Sequence, residues 1–301
     1  VTHVIAVPPS LDDVSFEQVL GPLAALAPDD RVLLDARHTR WASPYGLVGL
    51  LTIAQSRGGS RPSLIPPEAD ETASYWARTG FFQHAEDLFE ITGPVPRLRS
   101  GGESNVLLEI TPVVQSGDVH SVVERIQQRA QKILSTELNI DAQASIRFVM
   151  TLSEVCQNVV EHAGRGGWVA VQTYRWQKRL GRRVVQIAVA DAGIGFRRSL
   201  ESLPGRLAPA PGDRWDDGTA LEEAVIRGIS RFRDRGRGQG LAGARNFLGK
   251  WSGKLSIRSG TARIAIVPAW DEDAPLLEDL APFPGAQVQI TIPERAAAAA
   301  A

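Results

Sequence analysis

The sequence predicts an α/β protein built as two units in tandem. Three observations carry that prediction. At 301 residues the chain is long for one ordinary core and comfortable for two. Short apolar runs alternate with helical patterns through the first third, the order of a small α/β unit. A stretch rich in turn residues and poor in apolar anchors, PVPRLRSGGESN from Pro94 to Asn105, then separates this region from a segment with a different order of elements.

In the first unit, strands are expected at Val4 to Val7, Arg31 to Asp35 and Ser63 to Ile65. Helices are expected at Phe16 to Leu26, Tyr45 to Gln55 and Asp70 to Thr79. Gly58, Gly59 and Pro62 break the pattern between them. The cut falls between about residue 100 and residue 118, giving domains 1–100 and 118–295. The alanine run 296–301 reads as a tail outside the native fold. The second unit opens with the strand-like NVLLEITPVV, followed by helical patterns at Val119 to Leu138 and Asp141 to His162. Trp168 to Trp176 and Arg183 to Asp191 then read as a β-hairpin. The continuous apolar run of RVVQIAVAD predicts that both faces of its strand are covered. From Ala192 to Arg237 the chain turns polar, with one helical segment at Thr219 to Phe232, and reads as a lid. A short helix at Leu241 to Leu248 precedes closing strands at Lys254 to Arg258, Ala262 to Val267 and Gln287 to Ile292.

Composition excludes several classes. With 33 basic and 34 acidic residues the chain has no global charge footprint for nucleic acid. No apolar run approaches the roughly 20 residues a spanning helix needs, so a soluble protein without a membrane segment is expected. The single cysteine, Cys156, can form neither an internal disulfide nor a thiolate metal cluster, which fits a cytoplasmic setting. The first ten residues lack the features of a signal peptide, and the initial Val1 reads as a trimmed start.

Three motifs point to chemistry. Along TLSEVCQNVVEHAG, Glu154, Asn158 and His162 recur every fourth residue and share one helix stripe. A carboxylate and an amide oxygen one turn apart suit Mg²⁺ whose shell is completed by phosphate and water. Glu154 can also act as a general base, although the same spacing describes an exposed polar helix face. Next, Asp191-Ala-Gly193-Ile-Gly195 follows an apolar strand. It sets a carboxylate at the strand end and two small residues where backbone must approach a ligand. Asp191 can accept a hydrogen bond from an exocyclic amine such as that of adenine, although D-x-G-x-G also occurs in ordinary strand-exit turns. Third, Arg235-Gly236-Arg237-Gly238-Gln239-Gly240-Leu241 is a glycine loop opening a helix. Its freed N–H groups make an anion site to which Arg235 or Arg237 adds charge. No Lys-Ser/Thr follows the glycines, so this is not a Walker A loop.

Taken in this order, the motifs resemble the N, G1 and G2 boxes of the GHKL (Bergerat-fold, HATPase) superfamily of gyrase, Hsp90, MutL and histidine kinases. SEVCQNVVEHA is most similar to its anti-sigma-factor serine/threonine kinase branch. The resemblance covers about residues 119 to 294 and implies a two-layer α/β sandwich binding ATP and Mg²⁺ under a mobile lid. It implies Asn158 on the metal, Glu154 as base, Asp191 on adenine and the Gly236–Gly240 loop on the phosphates. Homodimerisation is common in that family. Where the family often has Gly-Thr entering its last strand, this chain has Gly285-Ala286, with Thr291 farther along. No phosphoacceptor histidine is expected, because His120 lies in a DVHSVVE context that does not match.

Arg31 to Leu51 resembles the strand-loop-helix of STAS domains, the anti-sigma-antagonist fold. That family carries a phosphorylatable Ser or Thr before a glycine. Here Ser43-Pro44-Tyr45-Gly46-Leu47 aligns, with Tyr45 at the phosphosite and Ser43 where an Asp stands in the family. The expected whole is an ATP-binding signalling protein that transfers the γ-phosphate to a partner protein, a sigma factor or a STAS-type antagonist. A non-catalytic ATP-dependent switch and a slow ATPase are the alternatives. Trp41, Tyr45, Trp76, Phe81 and Phe82 are expected to be core aromatics, and His3, His38 and His84 lack ligand spacing.

Overall fold

A computed structural model describes residues 1–96, 108–114, 117–122, 124–125, 155–157, 166–176, 180–202, 215–228 and 248–294, with residues 146, 150, 153 and 245 besides. The first unit is a parallel sheet, ordered β1 (Thr2–Ala6), β3 (Arg31–Asp35), β5 (Ser63–Ile65), β6 (Glu90–Ile91). Helices α1 (Glu17–Ala24), α2 (Pro44–Ser56), α3 (Asp70–Arg78) and α4 (Phe81–Leu88) connect the strands, and short strands β2 (Ser10–Leu11) and β4 (Trp41–Ala42) pair beside them. Each connection joins parallel strands and so needs a crossover element. Helix α4 and strand β6 go beyond the elements expected from sequence.

Helix α2 organises the molecule. Ser43 caps it, its side chain accepting the Gly46 N–H at 3.1 Å, and Pro44 supplies the fixed φ suited to a first helical position. The residues from Pro44 to Ala54 are all buried, as expected of a helix that is apolar all round. One side packs on the first unit. The other lies on three strands of a second sheet.

That second sheet has seven antiparallel strands in the order β12 (Leu276–Leu277), β11 (Ala262–Ile266), β10 (Lys254–Gly260), β13 (Phe283–Pro293), β9 (Arg182–Asp191), β8 (Gly167–Trp176), β7 (Leu108–Val113). Strands β8 and β9 form the expected hairpin. Alternation divides the sheet into two faces. Val185, Ile187, Val189, Leu255, Ile257, Val288, Ile290 and Ile292 point to one apolar core, together with α5 (Gly195–Glu201) and α6 (Asp217–Val225). Ala170, Ala188, Ala190 and Phe283 point the other way, into the core built around α2. Both faces of β9 are covered, as its continuous apolar run predicts.

The two units meet over a bonded seam. Thr79 O accepts the Ile110 N–H at 2.8 Å, and His84 Nε2 lies 2.9 Å from Ile110 O. Trp168 Nε1 donates to Gln55 Oε1 at 2.9 Å, Gln287 Nε2 donates to Tyr45 O at 2.8 Å, and the Tyr75 and Tyr174 hydroxyls are 2.7 Å apart. Arg258, fully buried, pairs with Glu17 at 2.7 Å and also donates to the carbonyls of Gly260, Ala262 and Ala281.

The lid expectation needs one correction: α5 lies inside Ala192 to Arg237, where only one helix was expected. The second helix of that stretch, α6, starts at Asp217 because Asp216 caps it, its carboxylate accepting the Thr219 N–H at 2.9 Å. Residues 203–214 and 229–244 lie outside the described residues, as does most of Val119 to Leu138 and Asp141 to His162. Among the described residues, no helix is long and apolar enough to cross a membrane.

Candidate functional site

Strand β9 ends at Asp191, which shares parity with Val185, Ile187 and Val189 and therefore belongs to the face that carries α5 and α6. Its carboxyl is 8% exposed. The chain turns directly after it, so the Gly193 N–H reaches back to Asp191 Oδ1 at 2.8 Å. Burial pushes the Asp191 pKa up to about 7, against the lowering effect of the Gly193 N–H and of the Ala286 backbone opposite it on β13.

The turn is locked from behind. Gly285 has φ +81°, and a Cβ there would stand 2.6 Å from both Asp191 Oδ1 and Gly193 N, so only glycine lets β13 pass this close. Ser259 Oγ donates to Gly285 O at 2.8 Å and accepts the Phe196 N–H at 3.1 Å, tying β10, β13 and the start of α5 together. Gly195, at φ +75°, brings the chain onto this serine: a Cβ there would lie 2.8 Å from Ser259 Oγ. Asp217 Oδ2 in turn accepts the Thr261 N–H at 2.8 Å, fixing α6 to the β10–β11 turn.

The structure thus brings together Asp191, Gly193 and Gly195. Glu154, Asn158, His162, Arg235, Arg237, Gly236, Gly238, Gly240 and Leu241 lie outside the described residues. Sequence reasoning missed Ser259, whose signal is confined to tertiary contact. It noted Gly285 only as half of an altered dipeptide. Thr291 stands apart from this site: it pairs with Gln186 across β13 and β9, on the opposite face of the sheet from Asp191. Tyr45 is 1% exposed, and burial raises its hydroxyl pKa far above the usual range.

The buried acid thus stands at a strand end, bonded by the backbone of the turn that follows, on a sheet layered with helices. The family described as histidine kinase-, DNA gyrase B-, and HSP90-like ATPase matches residues 143–296, just over half of the chain, and the chain belongs to it. Membership implies ATP binding and a role of the kinase or ATPase type. Among solved structures, a mycobacterial sensor histidine kinase, MprB, is similar at 18% identity and a TM-score of 0.28, over 63% of this chain and 100% of its own. Comparison with curated proteins gives no match.

The residues described fit an adenine base. Asp191 is a buried acceptor bonded by one neutral backbone N–H, and its remaining lone pairs suit an exocyclic amine.

Proposed function

We propose that this protein is an ATP-dependent serine/threonine kinase or partner-switch regulator of the anti-sigma-factor type, fused to a STAS-like unit. The observation that carries the nucleotide reading is the buried Asp191 turn, backed by Gly285 and Ser259, inside the matched segment 143–296. Asp191 selects adenine by accepting from its amine, a contact that discriminates because an unpaired buried carboxyl is costly. Asn158 supplies a hard amide oxygen for Mg²⁺, with Glu154 and His162 on the same helix stripe. Backbone N–H groups of Gly236, Gly238, Gly240 and Leu241 cradle phosphate, and Arg235 or Arg237 offsets its charge. Bound Mg-ATP supplies the phosphoryl group. Glu154 takes the proton of the partner's attacking hydroxyl.

The burial of Tyr45 supports a separate protein as acceptor, since the hydroxyl aligned with the STAS phosphosite is closed off. The test is γ-labelled ATP with an added STAS-type antagonist bearing a serine or threonine at its loop. Label on the antagonist, lost with Glu154→Gln, is the expected result. Label released as free phosphate indicates a slow ATPase. Nucleotide binding with neither outcome indicates a switch without phosphoryl transfer.

A further inference from the structure

The seven-stranded sheet carries a second site on the face away from Asp191. A cleft of about 270 Å³ opens at the seam between the units, lined by Asp13 and Trp41 of the first and by Trp176, Gln186, Lys254 and Thr291 of the second. That volume approaches the lower end of ordinary ligand pockets.

The cleft is built from polar groups that are taken out of water. Lys254 Nζ sits among three carboxylates, 2.8 Å from Asp273, 3.1 Å from Asp271 and 3.7 Å from Asp13. Arg263 pairs with Asp273 and lies 4.0 Å from Asp13. Among the described residues, three acids face two bases. The acceptors left over are oxygens. Gln186 Oε1 and Thr291 Oγ1 are buried without a hydrogen-bond partner, in residues 4% and 1% exposed, and Asp13 Oδ2 receives no hydrogen bond either. Buried acceptors of this kind are costly unless a donor arrives. Aromatic walls beside a buried carboxylate oxygen without a donor, Asp13 Oδ2, favour a donor that is also a cation.

We infer that this cleft binds a small organic ammonium ion, which donates to Gln186 Oε1, Thr291 Oγ1 and Asp13 while its carbon body lies against Trp41 and Trp176. The site is independent of the nucleotide site. It joins residues of both units, so its occupant tightens the seam between them.

The test is calorimetry on the full chain with benzylammonium and agmatine, using benzyl alcohol and benzoate as neutral and anionic controls. Benzylammonium is expected to bind saturably, at least about tenfold more tightly than either control. Gln186→Leu and Thr291→Val, which remove unpartnered oxygens and so keep the wild-type melting temperature, are each expected to weaken it at least about tenfold. Three results overturn the proposal: no saturable binding of either ammonium up to about 10 mM, equal binding of benzyl alcohol, or undiminished binding in both folded variants. In each case the cleft is a hydrated seam.

Discussion

The two faces of the seven-stranded sheet are both buried, yet one is dominated by branched aliphatic side chains while the other sets polar side chains beside the alanines under α2. Towards α5 and α6 the strands present Val185, Ile187, Val189, Leu255, Ile257, Val288, Ile290 and Ile292. Towards the first unit they present Gln186, Lys254, Ser256, Arg258, Arg263, Gln287, Gln289 and Thr291, all buried. The apolar face needs only volume and shape, which many partners could satisfy. The polar face needs particular partners: Glu17 for Arg258 and the Tyr45 carbonyl for Gln287. Apolar burial holds this sheet together, whereas charge and hydrogen-bond matching specify what covers it.

The largest loss is expected from a truncation on the apolar face. Ile187→Ala is expected to cost about 3–4 kcal/mol through lost burial and a residual cavity, read as a lower denaturant midpoint. On the polar face the sign depends on pairing. Glu17→Ala leaves the buried Arg258 guanidinium with carbonyls alone and is expected to cost about 3 kcal/mol. Adding Arg258→Met should recover part of that loss, and a double-mutant cycle measures the coupling. If Glu17→Ala is silent in denaturant titration, the seam is not specified by this pair.

At the site, Gly285→Ala forces a side chain into the Asp191 turn at a positive φ. It is expected to cost about 2 kcal/mol or more and to abolish nucleotide binding. The Asp191 carboxyl has the opposite linkage from a salt-bridged acid. Its folded pKa of about 7 lies above the unfolded value, so the folded state holds the proton more tightly. Stability is therefore full below about pH 4 and falls as pH rises through about 7, by an amount on the order of 4 kcal/mol for this group. Asp191→Asn should flatten that part of a stability-versus-pH curve. Smallest in effect is Cys156. Burial pushes its thiol up to about 12, so alkylation in the native state should be far slower than in denaturant.

Much of the fold was legible in local pattern. RVLLD at 31–35 and SLI at 63–65 match β3 and β5 residue for residue, because short β-branched or leucine-rich runs bounded by turn residues have few alternatives. Helix α2 was legible for its length and apolarity. Helix α5 was missed because GFRRSLE is short and sits among glycines and prolines, so its helicity comes from packing on the sheet. Helix α4 was missed because FFQHAEDL lacks a capping side chain and follows directly on Gly80. Asp191, Gly193 and Gly195 were legible as a motif. Ser259 and Gly285 act through contacts 26 residues apart in sequence, which no local pattern reports. The alternation of Lys254, Ser256 and Arg258 announces a two-faced strand, but not that another unit covers the polar face.

The central claim, that Asp191 reads adenine, is tested most directly by calorimetry of Mg-ATP, ADP and GTP against the wild type and Asp191→Asn, at pH 6 and pH 8. Saturable, adenine-selective binding is expected to strengthen from pH 6 to pH 8 as the carboxyl ionises, with both selectivity and pH dependence lost in the variant. Equal affinity for ATP and GTP, or an Asp191→Asn variant indistinguishable from wild type, would contradict it.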